Sequence, residues 1–174
     1  APGDGRLLWQ YPFAGARGAT TPVVHGDMVI VSGLNLGVEA FRPTRQGDEW
    51  TTTPLWRTNE VSMYTSNPVV VDDTLFGLSH RSSGQFFALD VGTGTVRWLG
   101  QPREAANTAI VKAGHLLFLL NDDGELIVAR SSRVRFEPMK RYTVADGATW
   151  AQPAMSGRRL FVKDVSTLAL WTID

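Results

Sequence analysis

The sequence predicts an all-β chain, a β-propeller of four four-stranded antiparallel blades. A repeated hairpin, its constant spacing and a third apolar segment after each hairpin predict it. The hairpin unit is a small or polar lead-in, a short run rich in β-branched residues, a tight polar turn and a second apolar run. It reads TTPVVHGDMVIVSG at 20–33, SNPVVVDDTLFGLS at 66–79, NTAIVKAGHLLFLL at 107–120 and AQPAMSGRRLFVKD at 151–164. The anchors Pro22, Pro68, Ala109 and Pro153 recur at a spacing in the low-to-mid forties. That length suits four strands of about five or six residues plus turns.

The third segments are GVEAFRP (37–43), GQFFALDV (84–91), GELIVARS (124–131) and STLALWTI (166–173). Three of them open at a glycine, as a turn needing φ > 0 would. Fourth segments follow in three modules: PLWRT (54–58), TVRWLG (95–100) and MKRYTV (139–144). The last module has none, whereas GRLLWQYPF (5–13) stands alone before the first. The expected blades are therefore 14–58, 59–100, 101–144 and 145–174 plus strand 5–13, in one domain or half-propeller. Residues 103–114 contain good helix formers, but their register in the repeat predicts a strand. Blade one carries the insert PTRQGDEWTT, read as a longer turn.

Lys and Arg total 17, as do Asp and Glu, so no overall field points to nucleic acid. A basic stretch (Arg130, Arg133, Arg135, Lys140, Arg141, Arg158, Arg159, Lys163) reads as a solvated strand face. The absence of cysteine excludes disulfides, thiolate metal sites and cysteine nucleophiles. No apolar run approaches the roughly 18 residues of a membrane span. The opening APGDG, without an initiator Met or a signal peptide's apolar core, reads as a mature start or an excised boundary.

Blade two contains ALDVGTGTVRW, Ala88 to Trp98. In it Asp90 and Thr93 flank a turn where short polar side chains cap backbone N–H groups, Gly92 and Gly94 supply unusual dihedrals, and Trp98 offers a flat ring to the neighbouring blade. Trp9, Trp56 and Tyr142 hold equivalent positions. The string matches A-x-D-x-x-T-G-x-x-x-W and so resembles the repeats of pyrroloquinoline-quinone (PQQ) dehydrogenases and their cofactor-free relatives. The resemblance implies structural docking by Trp9, Trp56, Asp90, Thr93, Gly94 and Trp98. Blade one has Arg42, blade three Ser131 and the last blade Trp171 where blade two has Asp90, so docking is expected to differ among blades.

Catalytic chemistry is missing from the pattern. The vicinal cysteine pair of many quinone dehydrogenases is impossible here. Asp122 and Asp123 sit in the turn NDDGE, where backbone needs explain them, and an EF-hand register would put Leu119 where a carboxylate belongs. His25, His80 and His115 lack metal-ligand spacing. Neither a dinucleotide fingerprint nor a nucleophile elbow is present. The expectation is no catalytic residue, no metal and no cofactor.

In a propeller, the lead-ins to the inner strands form one rim with the loops between second and third strands. Here these are 60–67, 102–107 and 144–152, with 33–37, 79–84 and 121–124. Tyr64, Asn67, Asn107, Trp150 and Gln152 fall at the starts of inner strands, as in a ligand site for a protein, peptide or carbohydrate. The resemblance to cofactor-free propellers, including an outer-membrane assembly scaffold, implies a non-enzymatic bacterial binding module, periplasmic or extracellular. A fragment of a PQQ-dependent alcohol or sugar dehydrogenase is the alternative. The unpaired edge of the last blade leads us to expect a homodimeric eight-bladed ring, in which each chain gives residues 6–11 to the other. A larger parent propeller or a tight four-bladed ring would also close the edge.

Overall fold

The computed structural model describes residues 3–13 and 18–173. The expected start of blade one at residue 14, the opening Ala1 and Pro2, and the end at Asp174 lie outside the described residues. Among the described residues, fifteen strands form four antiparallel sheets, each laid down in chain order. Blade one contains β1 (Val23–His25), β2 (Met28–Gly33), β3 (Gly37–Gln46) and β4 (Glu49–Thr58). Blade two contains β5 (Val69–Val71), β6 (Thr74–Ser79), β7 (Gln85–Asp90) and β8 (Val96–Pro102). Blade three contains β9 (Thr108–Ala113), β10 (Leu116–Asn121), β11 (Glu125–Arg130) and β12 (Glu137–Thr143). Blade four has β13 (Ala154–Ser156), β14 (Arg159–Lys163) and β15 (Leu168–Thr172). A single 3-10 turn at Arg81–Ser83 is the sole helical element among the described residues.

Every hairpin, third segment and fourth segment falls where the repeat places it. The helix-prone stretch yields β9, whose Ile110 pairs with Leu119; burial of one sheet face overrides propensity there. The blade-one insert differs from expectation. It extends β3 and β4 into a hairpin of two ten-residue strands, because Thr51–Thr53 are strand formers and Gly47, at φ +61°, turns the chain tightly.

The core lies between sheets rather than inside any one of them. Ile30, Val38, Phe87 and Leu89 join blades one and two. Phe76, Phe86, Leu117 and Ile127 join blades two and three, and Phe118, Leu120, Leu126 and Leu160 join blades three and four. Alternation along each strand thus feeds two interfaces at once. Among the described residues, 5–13 form no ladder with β15 or any other strand. Instead Tyr11 stacks on Phe41 at 3.9 Å, and Trp9 meets that ring edge-on at 5.6 Å.

Candidate functional site: a fastened rim and its docking tryptophans

The rim is zipped from lead-ins and second loops. Where third strands open, Gly37, Gly84 and Gly124 all have positive φ. A β-carbon on them would stand 2.2, 1.7 and 2.3 Å from the carbonyl oxygens of Thr58, Ala105 and Ala145 respectively. The chain entering the next blade therefore presses on this turn, and only glycine leaves room. Backbone bonds complete the seam: Arg103 N–H donates to Ser82 O, Asp122 N–H to Asn107 O and Val144 N–H to Gly124 O.

Three of the five expected ligand residues are engaged within this frame. Asn67 Oδ1 accepts from Thr21 N–H at 2.7 Å. Asn107, almost wholly buried, accepts at Oδ1 from the Thr65 and Ser66 hydroxyls. Gln152 Nε2 donates to Ile110 O at 3.0 Å. Each lies just ahead of an inner strand and ties its lead-in to the blade before it or to that blade's lead-in. Tyr64 and Trp150 differ, for their side chains are 43% and 61% exposed. The Tyr64 ring stands edge to face with His80, at 6.4 Å. Both exposed rings belong to lead-ins of inner strands, Tyr64 ahead of β5 and Trp150 ahead of β13.

Ser62 is a tie that sequence reasoning missed. Fully buried, its hydroxyl donates to Gly33 O at 2.7 Å, and its own amide donates to Ser79 Oγ at 3.1 Å. His80 Nδ1 lies 2.7 Å from Ser62 O. A lone serine has no distinguishing pattern, so only the paired loops reveal it. Below the rim, Arg141 bridges Glu104 at 3.2 Å and Glu125 at 2.8 Å. Burial works against its charge, but the two carboxylates outweigh that and raise its pKa.

Two of the tryptophans expected to dock reach from one blade to the next, whereas Asp90 and Thr93 hold blade two's own turn. Trp56 Nε1 donates to Val91 O and Trp98 Nε1 to Ser132 O, each at 2.8 Å. Asp90 Oδ1 accepts from Thr93 N–H at 2.9 Å, and its other oxygen pairs with Arg97. Tyr142, their counterpart in blade three, is 49% exposed on the wall of a 610 Å³ groove between blades three and four. There the direction is reversed, since Trp171 of blade four reaches back to Val144 O at 3.2 Å.

The donor set for a quinone-calcium centre does not fit. Asp122 Oδ1 accepts from Asn107 N–H and Asp123 Oδ1 from Glu125 N–H, so the first ties its loop to the lead-in of β9 and the second serves its own turn. Among the described residues no group of three or more His, Asp or Glu could hold a metal ion. No helix there is long and apolar enough to cross a membrane.

A family model described as outer membrane protein assembly factor BamB matches residues 1–100, more than half of the chain. The chain belongs to that family. BamB from Moraxella catarrhalis superposes with a TM-score of 0.63 at 14% identity, over 85% of this chain and 47% of that one. The chain therefore spans about half the length of this BamB. The computationally designed Ika4 protein gives a TM-score of 0.72 at 12% identity, covering 98% of this chain and 99% of that one. The designed Ika8 protein gives 0.55 at 10% identity, covering 87% and 57%. At these identities the likenesses establish the fold alone. Nothing among curated protein sequences matches. As a member of the BamB family, the chain carries the PQQ-like repeat as an all-β propeller scaffold.

Proposed function

We propose that the chain is a non-catalytic binding module, which holds a protein partner on its loop rim outside the cytoplasm. The observation carrying this reading is the contrast within the rim. Asn67, Asn107, Gln152 and Ser62 are spent on fastening the frame, whereas Tyr64 and Trp150 are left exposed upon it. Rigid aromatic rings on a preorganised frame give large contact area at low entropic cost. Membership of a family named for assembly of outer-membrane proteins supports a protein as partner and a periplasmic location. The carboxylates named above accept from a backbone amide or pair with Arg141, which supports a non-catalytic reading.

Titration with PQQ and Ca²⁺, followed by tryptophan fluorescence, tests the non-catalytic half of this reading. The expected result is no saturable change at micromolar cofactor. Saturable quenching there would restore the dehydrogenase alternative.

A further inference from the structure

One stretch of the rim sets negative charge around an exposed indole. Residues 145–149 lie across the turn that joins β10 to β11. Thr149 N–H donates to Asp122 O at 3.1 Å, and the Thr149 hydroxyl donates to Asn121 O. Thr149 is wholly buried there, and Trp150 follows it with its side chain exposed. Four carboxylates bracket the segment. Asp122 and Asp123 belong to the turn beneath it, Asp146 to the segment itself, and Asp164 to the turn between β14 and β15. A β-carbon on Gly147 would stand 3.8 Å from Asp164 Oδ2, so that carboxylate lies beside the segment too.

Backbone amides hold three of the four in place, yet none joins an ion pair among the described residues. The bases of these rim strands are engaged. Arg141 is held between Glu104 and Glu125, and Lys163 Nζ donates to the carbonyls of Asp164 and Val165. Asn121 adds an independent sign of an absent donor. Its side chain is buried and its Nδ2 donates to Glu125 Oε2 at 3.3 Å, while its Oδ1 accepts from no group. A buried acceptor left unmatched costs free energy that a ligand's N–H can recover. The polar groups set round Trp150 are thus acceptors and anions, and an indole face is the best aromatic surface for a cation.

We propose that the rim selects a basic peptide segment, whose lysine or arginine side chain stacks on Trp150 among these carboxylates. This rests on the reading of the rim as a protein-binding surface and names the chemistry that surface takes. Arginine fits best, because a planar guanidinium stacks on an indole and keeps its N–H groups free for carboxylates. The attraction is between solvent-facing charges, so binding should weaken as salt is added.

Peptides selected on the unmodified chain from a random display library test this. They should carry Lys or Arg above the library's own frequency. One such peptide, and its counterpart with that base replaced by Gln, are then titrated against the parent chain and against Asp123→Asn/Asp146→Asn. Asn keeps an oxygen for the Glu125 amide that Asp123 caps, so circular dichroism should be retained. Asp146→Asn alone carries the comparison should the pair unfold. Replacing the base should weaken binding to the parent about threefold or more, and to the variant by clearly less. No enrichment, or an equal loss on both chains, overturns the proposal. If Tyr64→Ser/Trp150→Ser still weakens those peptides, the rim reading survives and only its preference for a base falls. If that variant binds them unchanged, or if no peptide is selected at all, both fall.

Discussion

Gly94 lies directly beneath the indole of Trp56: a β-carbon built on it would stand 2.4 Å from Trp56 Cε3. The glycine of blade two's turn is thus the seat of blade one's tryptophan. Its φ of +73° alone disfavours any side chain. Gly94→Ala should therefore cost about 1–3 kcal/mol, with more added by displacement of the ring. Denaturant melts would measure it. In a Trp56→Ala background the steric part vanishes, so the two losses should be less than additive. Strict additivity would contradict the seating.

Trp98 sits between Phe76 and Phe136, at 6.2 and 6.0 Å, and donates its N–H to Ser132 O. Trp98→Ala should destabilise the chain by about 3 kcal/mol or more. Trp98→Phe keeps a ring but loses the bond, so it should fall between. A Trp98→Ala variant melting within a degree or two of the parent would show that this interface does not depend on the ring.

Much of the fold was legible because a repeat averages out local ambiguity. Residues 103–114 look helical alone, yet the register of Ala109 against Pro22, Pro68 and Pro153 assigned them to β9. Blade two's motif stood out because Asp90, Gly94 and Trp98 each hold a position that calls for a specific residue type. The rim was less legible. Asn67, Asn107 and Gln152 read as ligand groups because an amide at a rim has the same chemistry whether it faces a ligand or a backbone. Their bonds to Thr21, Ser66 and Ile110 cross about forty residues of sequence, which no local pattern encodes. Tyr142 kept its place in the series, but Trp171 from the opposite side makes the hydrogen bond there.

Asp164 closes the turn between β14 and β15. Its Oδ1 accepts from Thr167 N–H at 2.5 Å and Ser166 N–H at 2.8 Å, and these two amides, Thr167 first, hold its carboxyl below its ordinary value of 3.8. A depressed folded value means that the turn's stabilisation is complete above the unfolded value and is lost as pH falls through the lower, folded one. In an acid titration the amide resonances of Ser166 and Thr167 should move together, with a midpoint below 3.8. A midpoint at or above that value would rule out the cap.

The rim claim is tested most directly with peptides selected from a random display library on the unmodified chain. Their dissociation constants would then be measured against Tyr64→Ser/Trp150→Ser. Both side chains are exposed, so melting should change little, while loss of two aromatic anchors should weaken binding tenfold or more. Unchanged dissociation constants on the folded double variant would contradict a rim that binds through these two rings.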